Sequence, residues 1–258
     1  MADGKIMAGL GVALLAGGAG AQVVVNEVSG STPGPDGEFI ELFNEGLEAV
    51  DIGGWSITLY ESDATASFGQ TDGGSPYVIE AGAVIGRRGY FTLGNATAEE
   101  SFGFVADQRL PESAIENSSY TLVLRDAAGA VVTTIFVHDG GAADAANIAG
   151  ERITPDVVVG PDGGFLPSGF YRPGDEGGAY GIYPFDDLPG LVTPGAKNIG
   201  GPCPADFDRN GKADVYDLLA YLGAHRRGEA SADLDWDGVV GHLDLLEYLG
   251  AYRVGCPA

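Results

Sequence analysis

The chain has 258 residues, 45% of them hydrophobic, which suffices for one large core or two smaller domains. Its 43 glycines and 14 prolines favour tight turns over long helices. A formal charge of −24, from 13 basic and 37 acidic residues, repels nucleic-acid phosphates and anionic lipid headgroups and suits solubility, cation binding or a saline medium.

Residues 1–21 read as a signal peptide. Lys5 and the amino terminus supply positive charge, Ile6 to Ala16 form a short apolar stretch, and Ala19-Gly20-Ala21 presents an A-x-A cleavage site before Gln22. The segment is too short and glycine-rich to span a bilayer comfortably, and no later stretch is apolar for long enough. The expectation is an extracellular or cell-surface protein with no membrane span after cleavage and no nucleic-acid partner.

From Gln22 the chain reads as short strands separated by Gly, Pro, Asp and Asn. "QVVVNEV", "EFIELFN", "GWSITLYE", "GYFTLGN", "YTLVLRD" and "VVTTIFVH" each have strand length. Trp55, Ile57 and Leu59 fall on one face, with Ser56 and Thr58 on the other; Tyr120, Leu122 and Leu124 likewise oppose Thr121 and Val123. This pattern predicts a mainly β fold, a sandwich or barrel, with no visible βαβ alternation. The acidic, glycine-rich loops after His138 look like insertions or an irregular sandwich end.

Glu27, Glu38 and Glu41 form a local carboxylate group. It can hold a cation or act as an acid/base pair; the simpler reading is that turn amides take up the carboxylates. His138-Asp139 at a strand end reads as a surface pair rather than a base. No G-x-S-x-G, H-E-x-x-H or phosphate-loop motif is present. Three blocks then carry a resemblance: Asn26-Glu27, Glu38 to Asn44, and Asp51-Ile52 with Gly54-Trp55. They resemble the opening of a lamin-tail domain, and "LVTPGAKN" at Leu191 to Asn198 resembles the ending of secreted bacterial versions. The resemblance implies an immunoglobulin-like β-sandwich over 22–198, with a role in extracellular binding and no catalysis of its own.

Residues 199–202 read as a linker, and 203–258 contain a tandem repeat. "DFDRNGKADVYDLLAYLGAHRRG" from Asp206 aligns without gaps on "DLDWDGVVGHLDLLEYLGAYRVG" from Asp233, an offset of 27 residues. Each copy fits the calcium loop of an EF-hand. In the first, Asp206, Asp208 and Asn210 take positions 1, 3 and 5, and Gly211 makes the turn. Lys212 offers its carbonyl at position 7, Asp214 acts through water at 9, and Asp217 closes the loop at 12. In the second, Asp233, Asp235, Asp237, Val239 and Asp244 take the corresponding places, while Gly241 at position 9 offers no side chain. Two calcium ions are expected. Leu218, Leu219 and Leu222, and their repeats Leu245, Leu246 and Leu249, are expected to form two stripes that pack on each other. Cys203 and Cys256 bracket the repeat, and an even count in an exported chain points to a disulfide.

A loop followed by one helix, duplicated, with "CPADFD" and "VGCPA" at its ends, resembles a type I dockerin in the cysteine-clasped form of planctomycete-type secreted proteins. The resemblance implies docking to a cohesin or an envelope component. It departs at loop positions 10 and 11, often Ser-Thr in dockerins, which are here Val215-Tyr216 and His242-Leu243. The sequence thus reads as an immunoglobulin-like β-sandwich followed by a small α-helical, EF-hand-like module. The expected function is that of a non-catalytic, calcium-binding surface or secreted protein. The alternative is an extracellular polysaccharide-degrading hydrolase or its accessory subunit, since dockerins commonly ride on glycosidases.

Overall fold

The computed structural model describes residues 22–255, apart from 33, 178, 184–190, 199–203, 209–211 and 235–238. The expected signal (1–21), the linker, Cys203, Cys256, Asn210, Gly211, Asp235 and Asp237 therefore lie outside the described residues.

In chain order the strands begin with β1 (Val23–Ser29), β2 (Phe39–Asn44), β3 (Val50–Asp51), β4 (Ser56–Glu61), β5 (Tyr77–Val78) and β6 (Val84–Ile85). Next come β7 (Tyr90–Gly94), β8 (Gln108–Arg109), β9 (Tyr120–Arg125), β10 (Val131–Val137) and β11 (Asn147–Ile148). The last are β12 (Glu151–Arg152), β13 (Val157–Val159), β14 (Gly169–Tyr171) and β15 (Gly181–Tyr183). All six strands expected from the sequence form; they are β1, β2, β4, β7, β9 and β10. One sheet has the order β15-β14-β1-β2-β7-β8 and the other β13-β10-β9-β4-β5. Val25, Val28, Ile40, Leu42, Leu93 and Phe170 from the first sheet share one buried cluster with Ile57, Leu59, Leu122, Leu124, Ile135 and Val137 from the second. Two sheets closed over one apolar layer make the chain mainly β, a sandwich.

The expected alternation holds on the inner face, where Trp55, Ile57, Leu59, Tyr120, Leu122 and Leu124 are buried. It fails on the outer face of β9, where Thr121 and Val123 are buried as well. The Thr121 hydroxyl meets that of Ser62 at 2.8 Å and accepts from the Asn147 amide, so the loop after His138 covers this face. A strand–helix–strand connection is also present, contrary to expectation. β7 leads into helix α1 (Ala96–Phe102), and β8 returns parallel to β7. Asn95 caps α1 by accepting from the Ala98 amide, and Gly103 ends it in the left-handed region.

β1 carries a bulge. Its register against β2 shifts between Val25 and Glu27, so Asn26 is the extra residue. The bulge lets Val25 and Val28 both reach the core although three positions separate them. It also sets Glu27 directly opposite Glu41 on β2.

The tail holds α2 (Val215–Arg227), a 3-10 turn (Ala230–Ala232) and α3 (His242–Val254). Its own buried cluster consists of Tyr221, Ala224, Ala232 and Tyr248. Tyr221 and Tyr248, repeat-related residues, stack at 3.9 Å between ring centroids and 4° between planes, and Phe207 meets both edge-on. The expectation that the leucine stripes pack on each other is corrected here. Leu218 and Leu245 lean on the cluster, but Leu219, Leu222, Leu246 and Leu249 are exposed. The reason is angular. Each residue turns the helix by about 100°, so Tyr221 and Ala224 lie within about 40° of Asp217, whereas Leu219 lies about 200° away. Asp217 must face its loop, and the residues aligned with it become the core. Among the described residues no helix is long and apolar enough to cross a membrane.

Candidate metal centre

The first repeat loop brings carboxylates together. One ligand atom each from Asp206, Asp208 and Asp217 lies within 4.8 Å of the others. Alternate residues at the start of the loop aim the first two, and the first turn of α2 delivers the third. Asp217 is fully buried, Asp206 half-buried and Asp208 exposed. The Asp217 carboxylate accepts from the Asp208 amide at 3.0 Å and the Asp214 amide at 2.7 Å. Those N–H groups hold its pKa below the ordinary value, so it stays ionised.

Asp214 does something other than expected. Its side chain accepts from the Tyr216 amide at 2.8 Å and caps α2, forming a capping box with Asp217. It is not among the converging carboxylates. Lys212 is exposed in the irregular segment before α2, with only its carbonyl suited to a cation. A donor set of carboxylate oxygens fits a hard divalent cation such as calcium and does not fit zinc, which prefers nitrogen and sulfur. Several carboxylates at this spacing repel one another, and a divalent ion reverses the sign of that interaction.

The second loop repeats the closing residue. Asp244, buried, accepts from the Leu234 amide at 2.7 Å and the Gly241 amide at 2.6 Å. Gly241 starts α3 without a side-chain cap, consistent with its bare position 9. Asp233 is nearly buried and lies 3.5 Å from the guanidinium of Arg87, which belongs to the sandwich. Val239 is exposed. Arg87 carried no sequence signal, because nothing local marks a residue so distant in the chain.

In the sandwich, Glu27, Glu38 and Glu41 are fully buried and are taken up by amides. Glu38 accepts from the Ala114 and Ile115 amides. Glu27 accepts from the Thr193 amide and the Tyr183 hydroxyl, and Glu41 from the Gly195 amide and the Asn26 side chain. Residues 191–198 thus form a clasp across β1 and β2. Asp175, in the left-handed region at φ 60°, joins it by accepting from the Asn26 side chain, the Asn198 amide and the Tyr90 hydroxyl. Burial raises Glu27 to about 7 and Glu41 to about 8, against the lowering effect of their hydrogen bonds. Two further acidic groups were not anticipated as clusters: Asp63 with Asp139 and Asp144, and Glu61 with Asp72 and Glu116. His138 stacks on Phe136 at 5.0 Å.

The β1-to-β10 portion of this architecture, with its bulged first strand and buried glutamates, has a family match. Residues 17–139 match the family model of the Lamin Tail Domain. The match runs through β10. It includes Glu27, Glu38 and Glu41 but stops before Asp175 and the 191–198 clasp, which complete the sandwich in space. The tail repeat lies wholly outside it. No curated relative matches the chain.

Proposed function

We propose that this is an exported, non-catalytic protein in which a lamin-tail domain binds or displays, while a calcium-ordered tail docks the molecule to a protein partner. The observation that carries this reading is the outer face of the tail. Tyr216, Leu219 and Leu222 on α2 are exposed, and so are their repeat equivalents Leu243, Leu246 and Leu249 on α3. Leu219 is 60% and Leu246 62% exposed. A duplicated ridge of large apolar residues costs solubility unless a partner covers it. Its two-fold repetition offers that partner the same surface twice. A cohesin or an envelope component fits this role.

The convergence of Asp206, Asp208 and Asp217 supports calcium as the ordering ion, and two ions are proposed from the repeat. The buried Glu27 and Glu41, engaged by the clasp, support a structural role over an acid/base pair. The test uses the mature protein as bait in the native secretome, with calcium or with chelator. A partner captured only in calcium, and lost in the double variant Leu219→Asp/Leu246→Asp while calcium uptake persists, is the expected result. Undiminished capture by the double variant overturns the docking surface.

A further inference from the structure

The two stacked tyrosines of the tail are repeat equivalents, yet their hydroxyls fare differently. Tyr221 on α2 reaches across to the second copy, where its hydroxyl donates to the Ala232 carbonyl at 3.5 Å, one residue before Asp233. The 27-residue offset makes Ala205 and Asp206 the counterparts in the first copy. Tyr248 on α3 lies at that end of the tail. Its ring meets Phe207, the residue between Asp206 and Asp208, at 6.2 Å and 86°. Its hydroxyl is buried and has no hydrogen-bond partner among the described residues. A buried donor left unpaired is costly and calls for an explanation. Burial and the charges of Asp217 and Asp208 raise the pKa of this phenol. It therefore keeps its proton and remains a donor within the field of two of the three converging carboxylates.

We propose that Tyr248 is a positioning residue of the first ion site: its hydroxyl, supplied by the second repeat, is reserved for the first loop and gains its hydrogen-bond partner there when a divalent ion binds. The inference rests on the calcium reading above and adds to it a residue from the opposite copy. Three carboxylates that repel one another stand apart until a cation gathers them. Once gathered, they need donors that fix their orientation, because ligating carboxylates are themselves hydrogen-bonded and the loss of such a partner weakens metal binding. Linkage is reciprocal: whatever factor the hydroxyl adds to the first site's affinity, the ion adds to the seating of α3. The consequence reaches the apolar ridge. Leu219 stands on α2 and Leu246 on α3. An ion in the first loop that also engages α3 sets both halves of that ridge at once.

The experiment compares the full-length protein with Tyr248→Phe, Tyr221→Phe and Asp206→Ala. Calorimetry gives calcium affinity, circular dichroism reports the helices, and proton magnetic resonance reports hydroxyl protons protected from exchange. Tyr248→Phe, which keeps the ring stack, is expected to reach the wild-type helical signal at saturating calcium but to bind calcium about tenfold more weakly. A protected hydroxyl resonance is expected to appear in the wild type on adding calcium and to persist in Tyr221→Phe. It should be missing from Tyr248→Phe and from Asp206→Ala. A hydroxyl that only fills space would produce no such resonance. Wild-type calcium affinity in Tyr248→Phe overturns the inference and leaves the calcium reading intact. So does a hydroxyl resonance that is absent from the calcium-loaded wild type or that survives Asp206→Ala. No calcium uptake by the wild type overturns the calcium reading, and the inference with it.

Discussion

The sandwich and the tail handle buried carboxylates in opposite ways. In the sandwich, Glu27 and Glu41 face each other across β1 and β2, and burial lifts them to about 7 and about 8. Their oxygens are occupied by amides, a tyrosine and an asparagine, and a proton settles the remaining charge at low pH. In the tail, backbone amides push Asp217 in the other direction, so its charge persists beside Asp206 and Asp208. A divalent cation would turn the mutual repulsion of those three carboxylates into attraction. The contrast shows that burial alone does not decide whether an acidic group is structural glue or an ion site. What decides it is whether donors from distant segments close over each oxygen or leave several oxygens facing one point.

Chelation is the harshest way to break the comparison. With calcium removed, the tail is expected to lose most of its helical circular dichroism while the sandwich keeps its strand signal. Asp233→Ala is expected to abolish terbium emission from Trp236, whereas Asp206→Ala keeps much of it. Equal helical signal in calcium and chelator, with no terbium emission, removes the basis for the ion site. Reduction of the Cys203–Cys256 disulfide proposed from the sequence comes next. It would close a loop of about 54 residues, for which loop-closure entropy gives about 4 kcal/mol. The tail's midpoint should drop under reductant and the sandwich's should not; free thiols in the folded, unreduced protein contradict the pairing.

The smallest expected effect is a pH dependence confined to the sandwich. Unfolded glutamates titrate near 4.5, the folded pair near 7 and 8. Between those values the native state holds more protons than the unfolded one, so stability falls as pH rises. It is fully present below about 4.5 and is lost as pH passes through 7 and 8. The sandwich should be at least ~2 kcal/mol less stable at pH 8.5 than at pH 5.5 in denaturant titrations. Glu41→Gln should flatten that slope. A sandwich whose stability rises over the same interval sinks this account of the clasp.

Much of this was legible locally. The six long strands alternate or run apolar over a few residues, and that period survives whatever packs on top. The repeat was equally plain, because ligand spacing within a loop is a local property: Asp206, Asp208 and Asp217 converge as their positions require. The short strands β3, β5, β6, β8 and β11 to β15 carry two or three residues each, too few for any period to register. They form because a neighbour offers an edge, as β10 does to β13.

The sequence by itself therefore determined the mainly β body, the duplicated tail and the acids that meet in its first loop, since each depends on residues within a dozen positions of one another. Only the tertiary structure decided the rest. Asp217, turned toward its loop, rotates Tyr221 into the core and Leu219 out to solvent, a choice that an evenly apolar helix leaves open until one residue is anchored. The clasp brings Thr193 and Gly195 onto Glu27 and Glu41 across more than 150 residues, and Arg87 finds Asp233 across a comparable span. Contacts that long are set by where the sheets carry the chain, and no local pattern of side chains encodes them.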